Sequence, residues 1–210
     1  IKKGTPLLLN EFLWSAGMTC LSIAYSLYGP DILPAYSISS TVSNLSNVAF
    51  LSLGSSIGII SGKLLGAGKH EEAIDAVRKL IALSLAMSVC LGVLLYFIGE
   101  NITSVYNCSD KSKDYATFFI KTCACAMPIV SFANASYFTL RSGGKTIITF
   151  LFDSGELWLI SVPLAFGLYY LGANPMPIYI TFPAIQFVEI IKVTVGLILV
   201  RKRVWVNTMV

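Results

Sequence analysis
Long apolar stretches separated by short polar ones set the pattern of this chain. Apolar residues run almost without interruption over about 6–28, 32–65, 73–98, 115–140, 146–171 and 178–200. Each run is long enough to cross a bilayer as a helix, which takes about 20 mostly apolar residues. The runs are continuous and do not alternate, so they predict helices and not the strands of a barrel. The expected fold is an all-α membrane protein, a six-transmembrane-helix bundle forming a single membrane domain over residues 1–210. The second run is longer than a bilayer needs, and its helix is expected to tilt, bend or project beyond the hydrocarbon.

The polar stretch 62–80 organises the topology. Gly66 and Gly68 close one helix as a glycine past a C-terminus does, and His70, Glu71 and Glu72 open the next with acids in its first turn. A second long polar loop covers 99–114, shorter turns fall at 141–145 and 172–177, and the last run ends in Arg201, Lys202 and Arg203. With six spans, Lys2, Lys3, Lys63, Lys69, Arg78, Lys79, Arg141, Lys145 and the closing three bases share one side, whereas the other has only Lys111, Lys113 and Lys121. Basic residues collect on the cytoplasmic side, so both termini are expected there, in a multi-pass protein of the cell (plasma) membrane.

Composition narrows the class further. Hydrophobic residues make up 55% of the chain and charged ones 12%, with a mean hydropathy of +0.74, far from the balance of a soluble domain. The net charge of +4 resides in bases at segment ends and not in a stripe, which speaks against nucleic acid. Five cysteines, none in a C-x-x-C, read as small core residues. The chain starts at Ile1 with no signal-peptide pattern, and is expected to be a fragment that begins mid-protein.

An ionisable side chain at bilayer depth costs about 2.5–3.5 kcal/mol on insertion scales, so it marks a functional candidate by default. The first run carries Asn10, Glu11, Trp14, Met18, Ser22 and Tyr25 at helical spacing, one polar and aromatic stripe. Ser37, Ser40, Asn44, Asn47 and Ser55 do the same on the second run, and Ser131, Asn134, Phe138 and Arg141 on the fourth, below an expected kink at Pro128. Small hydroxyl residues at such spacing also serve ordinary helix packing. Asp153 and Glu156 stand at i, i+3 in the fifth run; two carboxylates in a low dielectric repel, so at least one is expected to hold a proton near neutral pH. Glu189 and Lys192 in the sixth are spaced to pair with one another, as a structural couple.

Some apparent motifs fail on inspection. His70-Glu71 begins like H-E-x-x-H, but position 74 is Ile and His70 is the sole histidine, so a zinc protease is excluded on this chain. Gly144-Lys145-Thr146 resembles the end of a phosphate loop, yet Thr139 stands where the earlier glycine belongs. No His, Ser–Lys or paired-aspartate centre assembles, and a membrane-embedded enzyme is not expected; no cofactor is implied.

The order of motifs carries a resemblance. Pro6, Asn10-Glu11 and Trp14-Ser15, then Gly29 and Ala35-Tyr36-Ser37-Ile38, then Gly62-Lys63, Leu65-Gly66-Ala67-Gly68-Lys69 and Glu71-Glu72-Ala73 resemble the C-terminal half of the multidrug and toxic compound extrusion (MATE) transporters. Leu140-Arg141-Ser142-Gly143-Gly144, Asp153, Trp158, Pro163-Leu164, Glu189 and Lys192 continue it to Trp205. The resemblance implies one six-helix lobe whose partner is an N-terminal lobe of the same transporter. It further implies efflux of small amphipathic, cationic substrates in exchange for H⁺ or Na⁺ by alternating access. Glu11 matches a first-span glutamate linked in the family to cation and substrate binding, and Asp153 is its expected partner in holding the coupling cation. Asn10, Trp14, Tyr25, Ser40, Asn44, Asn134 and Phe138 are the expected lining of the substrate cavity. A fourth-span aspartate found in some members has no counterpart here, and Lys145 replaces an acid. The alternative in the same superfamily is a flippase for lipid-linked saccharides, which the few basic residues along the expected cavity disfavour.

Overall fold
The apolar runs become six rods. The computed structural model describes residues 5–144, 146–171 and 175–206. The rods are α1 (Thr5–Ser26), α2 (Ile32–Gly66), α3 (His70–Ser104), α4 (Asp110–Ser142), a fifth assembled from α5 (Thr146–Phe150) and α6 (Val162–Tyr170), and α7 (Ile178–Arg201). Between α5 and α6 the backbone stays helical but widens into two π-wound turns, Leu151–Gly155 and Leu157–Ser161, on either side of Glu156. No strand occurs among the described residues. Among the described residues five helices are long and apolar enough to cross a membrane. By that measure α1, with Asn10 and Glu11 near its start, is not one of them.

Helices extend past the apolar runs because polar residues beyond the hydrocarbon keep satisfying the backbone ladder. Most of the polar stretch 62–80 is therefore helix, and the break is only residues 67–69. Gly68 there takes φ +74°, a left-handed conformation that favours glycine. The loop expected over 99–114 shortens to 105–109, since α3 runs on to Ser104 and Ser109 caps α4 by accepting from the Ser112 amide at 3.1 Å. The 35 residues of α2 span roughly 50 Å at 1.5 Å per residue, well beyond a hydrocarbon core of about 30 Å. α4 continues through Pro128 as one helix.

α4 is the central rod, packed against α2, α3 and α7, whereas α1 lies against α2 and the fifth rod. Small residues let the helices close up, which is how helices associate where no hydrophobic gain is available in lipid. Ser84, Ser88, Gly92 and Gly99 form the buried ridge of α3. A Cβ on Gly92 would stand 2.7 Å from the Ala124 carbonyl oxygen of α4. The Phe138 ring lies directly on Gly54 of α2.

Two apolar clusters form the interior. One gathers Leu21, Tyr25, Ile32, Phe50, Phe119 and Phe182; the other gathers Ile57, Leu65, Val77, Leu140 and Trp205. Along α3, α4, the fifth rod and α7 the stretches between them include the polar residues Ser84, Ser131, Asp153, Glu156, Glu189 and Lys192. The bundle thus has a polar layer between two apolar ones.

The ends of the rods fix which turns share a side. The Arg203 guanidinium reaches Glu71 at 3.1 Å, and Trp205 packs its backbone on Gly143, so the turns after α2 and α4 and the chain end lie together. At the opposite end Ser109 donates to Asp31 at 2.6 Å, and the Tyr28 and Thr181 hydroxyls bond at 3.0 Å. The cysteines are not core residues as a group. All five are free, with Cys90 and Cys125 exposed and Cys20, Cys108 and Cys123 half-buried.

Candidate functional site
The polar layer converges on Lys192. Its ammonium, on α7, lies 3.0 Å from Glu156 Oε2, 3.1 Å from Glu189 Oε1 and 3.8 Å from Asp153 Oδ1. Lys192 and Glu156 are each 8% exposed, whereas the Asp153 and Glu189 side chains keep about a quarter of their surface open. The second oxygen of Asp153 accepts from Asn10 Nδ2 at 3.1 Å, and Asn10 Oδ1 accepts from Ser154 Oγ at 2.6 Å. Ser161 Oγ donates to Glu156 Oε1 at 2.6 Å. α1, the fifth rod and α7 are therefore joined by one network at a single level.

The π-wound turns make this geometry possible. On an α-helix, residues five apart lie about 140° around the axis from each other, so Glu156 and Ser161 would not meet. A π turn pairs i with i+5 and brings them onto one side, which is the contact observed. Such turns occur mostly as local bulges, frequently at functional sites.

This arrangement corrects two sequence expectations. Asp153 and Glu156 do not face each other as bare repelling carboxylates, because Lys192 sits between them. Nor are Glu189 and Lys192 a self-contained couple; their 3.1 Å contact is one edge of a four-charge group. Three carboxylates against one ammonium leave the group short of positive charge, and a low-dielectric site does not tolerate that imbalance.

The expected cavity residues divide. Asn10 is 2% exposed and belongs to the network, while Glu11, its neighbour, is exposed and makes no hydrogen bond or ion pair among the described residues. Tyr137 of α4 feels Glu11, Asp153 and Arg141, so α4 faces the same region. Trp14 is 42% exposed and Asn44 is exposed. Tyr25 is a correction: it is 2% exposed, packed between Tyr36 and Phe182, and turned into the core because its place on α1 faces α2 and α7. Phe138 is half-buried on Gly54 and fills a helix seam. Ser131 likewise closes a seam, at 2.7 Å from Ser84 of α3. Ser40 is half-buried and donates to the Ser37 carbonyl of its own helix; Asn134 is half-buried.

Which face lacks a neighbour separates α1 and α2 from the other rods. The outward face of α3 is Leu83, Met87, Val93, Leu94 and Phe97, and that of α7 is Phe187, Ile190, Ile191, Val195 and Ile198, as lipid contact requires. The outward faces of α1 and α2 instead carry Glu11, Ser15, Thr19, Ser37, Thr41, Asn44, Ser52 and Ser55 among their apolar residues. Such a face is suited to water or to another protein surface, not to hydrocarbon.

Sequence reasoning weighed Glu156, Glu189 and Lys192 without placing them in one site, and passed over Ser154 and Ser161. Depth was the missed signal. Asp153 and Glu156 lie 7 and 10 residues from the start of the fifth rod, and Lys192 and Glu189 lie 9 and 12 from the end of α7. Antiparallel neighbours with matching distances meet at one level, roughly 10–18 Å in.

Comparison with known proteins adds the family. The MatE family model matches residues 6–166. The chain is 20% identical over 194 residues to the probable multidrug resistance protein YoeA of Bacillus subtilis, covering 92% of this chain and 42% of that protein. It is 22% identical over 166 residues to the probable multidrug resistance protein NorM of Bacillus cereus, covering 79% and 37%. Among solved structures it superposes on the MATE transporter ClbM in complex with Rb⁺ with a TM-score of 0.83, at 16% identity, over 97% of this chain and 48% of that one. A transporter of the MOP superfamily from Pyrococcus furiosus, described as having a binding pocket of reversed polarity, gives 0.75 at 17% identity, over 98% and 44%. The chain thus spans less than half the length of each of these proteins. An all-helical bundle with a polar layer at mid-depth, matched by the family model over most of its length, makes this chain a multi-pass membrane protein of the MatE family.

Proposed function
We propose that this chain is one lobe of a secondary multidrug efflux transporter, which exports small amphipathic cations in exchange for an inward-moving cation. The observation that carries the reading is the charge-deficient group of Asp153, Glu156, Glu189 and Lys192, tied by Asn10 to the helix that bears Glu11. A group short of positive charge at bilayer depth takes up a cation or proton in one state and yields it in another, and that differential affinity is what exchange requires. Glu11 and Trp14, open on the outward face of α1, supply charge and aromatic surface for a cationic substrate. The polar outward face of α1 and α2 is where a second six-helix lobe would close the cavity, and rocking of two lobes about a mid-membrane site gives alternating access. The lengths of the relatives support a second lobe.

The topology supports a plasma-membrane exporter with both ends of this chain in the cytoplasm. Lys63, Lys69, Arg78, Lys79, Arg141, Arg201, Lys202 and Arg203 gather at one end of the bundle. Lys2, Lys3 and Lys145 lie outside the described residues. The test is efflux of a fluorescent organic cation from proteoliposomes of the complete transporter under an imposed ion gradient. Glu11→Gln and Asp153→Asn are each expected to lower gradient-driven efflux at least tenfold. Efflux unchanged in both variants would dismiss this assignment.

A further inference from the structure
We propose that the groove between α3 and α4, on the perimeter of the bundle, binds one zwitterionic phospholipid of the phosphatidylethanolamine class, with an acyl chain in the hollow and the headgroup on Lys121 and Glu100. Neither residue belongs to the charge group around Lys192.

The hollow follows from small residues at a close helix crossing. Gly92 of α3 meets the Ala124 carbonyl of α4 with no room for a side chain between them, since a Cβ there would stand 2.7 Å from that oxygen. Beside this seam Ala124, Cys125 and Pro128 are too small to fill the space along Val89, Val93 and Phe97, and a groove of about 230 Å³ remains. Val89, Val93, Phe97 and Cys125 are exposed, so the groove opens sideways to lipid. Pockets that enclose a drug-sized molecule hold about 300–1,000 Å³. This smaller apolar hollow suits a hydrocarbon chain instead.

Its length and direction match one leaflet. Glu100 stands 11 positions after Val89 on α3, a rise of roughly 16 Å at 1.5 Å per residue. Half of a hydrocarbon core of about 30 Å is about 15 Å. The apolar lining thus covers the depth of a single acyl chain, and the charges stand where the headgroups of that leaflet begin. That leaflet is the one nearer the turn at 105–109, opposite the end where Arg203 meets Glu71.

The mouth of the groove supplies the selectivity. Lys121 Nζ lies 2.6 Å from Glu100 Oε1 and 5.6 Å from the centre of the Tyr96 ring, itself part of the lining, so the ion pair is held at the rim. The two side chains remain 32% and 68% exposed, and an ammonium has three donors, so both groups stay open to a ligand. A phosphate suits the ammonium and a primary amine suits the carboxylate, each through a charge-assisted hydrogen bond. The trimethylated amine of phosphatidylcholine has no N–H to give Glu100. A headgroup of net negative charge meets the Glu100 carboxylate with no amine to offset the repulsion.

The test is native mass spectrometry of the complete transporter, released from detergent micelles that contain phosphatidylethanolamine, phosphatidylcholine and phosphatidylglycerol in equal amounts. The wild-type protein is expected to retain one phosphatidylethanolamine, at least fivefold over either of the others. Lys121→Gln removes the phosphate partner and is expected to lower that retention at least tenfold. Glu100→Gln leaves the lysine unpaired and is expected to turn the preference to phosphatidylglycerol. Cys125→Phe fills the hollow and is expected to lower retention of all three lipids with the ion pair intact. Lys121 and Glu100 lie at the surface, so their variants decide the matter should Cys125→Phe fail to fold. Equal retention of the three lipids by the wild type, or undiminished retention of phosphatidylethanolamine by Lys121→Gln, overturns the proposal. A peak for two copies of the transporter that Cys125→Phe abolishes assigns the groove to a second copy and overturns it as well.

Discussion

Breaking the contact between Lys192 and Glu156 should cost more than any other single charge removal in the bundle. The two groups meet at 3.0 Å and each is 8% exposed, so neither can turn to water when its partner is lost. Removing one member of a buried ion pair costs about 3–5 kcal/mol, because the other charge stays buried without compensation. Lys192→Met is the worse direction, since it strands three carboxylates. For a chain of this size a kcal/mol moves Tm by about 2–4 °C, so the expected fall is roughly 6–20 °C. Glu156→Gln keeps an acceptor for Ser161 and leaves Lys192 with Glu189 and Asp153, so its cost should be nearer 1 kcal/mol, typical of a point substitution. In the double variant one of the three stranded acids, the most buried, is absent, and the two effects should fall short of additivity by about 1–3 kcal/mol. The assay is thermal unfolding of the purified protein in one detergent, followed by intrinsic tryptophan fluorescence for wild type, both singles and the double. Additivity within about 0.5 kcal/mol would refute the reasoning, because residues that do not interact behave that way.

Glycines give two opposite expectations from one residue type. Gly92→Val forces side-chain atoms into the Ala124 carbonyl of α4, already 2.7 Å from an added Cβ, and should destabilise by about 1–3 kcal/mol. Gly62→Ala meets nothing within 4 Å on the helical α2 and should be neutral or stabilise by up to about 1 kcal/mol; thermal unfolding separates the two. At the opposite end of the bundle the Ser109 hydroxyl, donating to Asp31, holds that carboxyl below its usual range. A group with a depressed folded value adds stability above its unfolded value, about pH 4, and loses it as the pH falls through the folded value. Hydrogen exchange of residues 29–33, corrected for its intrinsic pH dependence, should therefore rise in acid below that point, and Asp31→Asn should abolish the step.

Much of this protein was settled by its sequence alone. Helical rods follow from run length, since nothing but a helix or a closed barrel satisfies the backbone in lipid, and continuous apolarity selects the helix; five of the six expected are long and apolar enough to cross a membrane. The turn at residues 67–69 was legible in Gly66 and Gly68, and the grouping of the bases agrees with the turns that the structure places at one end of the bundle. Boundaries were less legible, because a helix does not stop where hydrocarbon stops; α3 carries on through Glu100 and Asn101 to Ser104. Tertiary structure alone decided which polar residues belong together. Helical spacing put Asn10 and Tyr25 in one stripe, yet α1 packs so that Asn10 enters the charge group and Tyr25 the apolar core. Ser131 and Asp153 looked alike as polar residues in apolar runs, but one bonds a serine across a helix seam and the other faces an ammonium. The physical reason is that membrane helices choose neighbours by close contact of small surfaces, and a sequence records each surface without recording the one opposite. Lys192 has meaning only through three acids, two of them on another rod, and folding alone brings them within 4 Å.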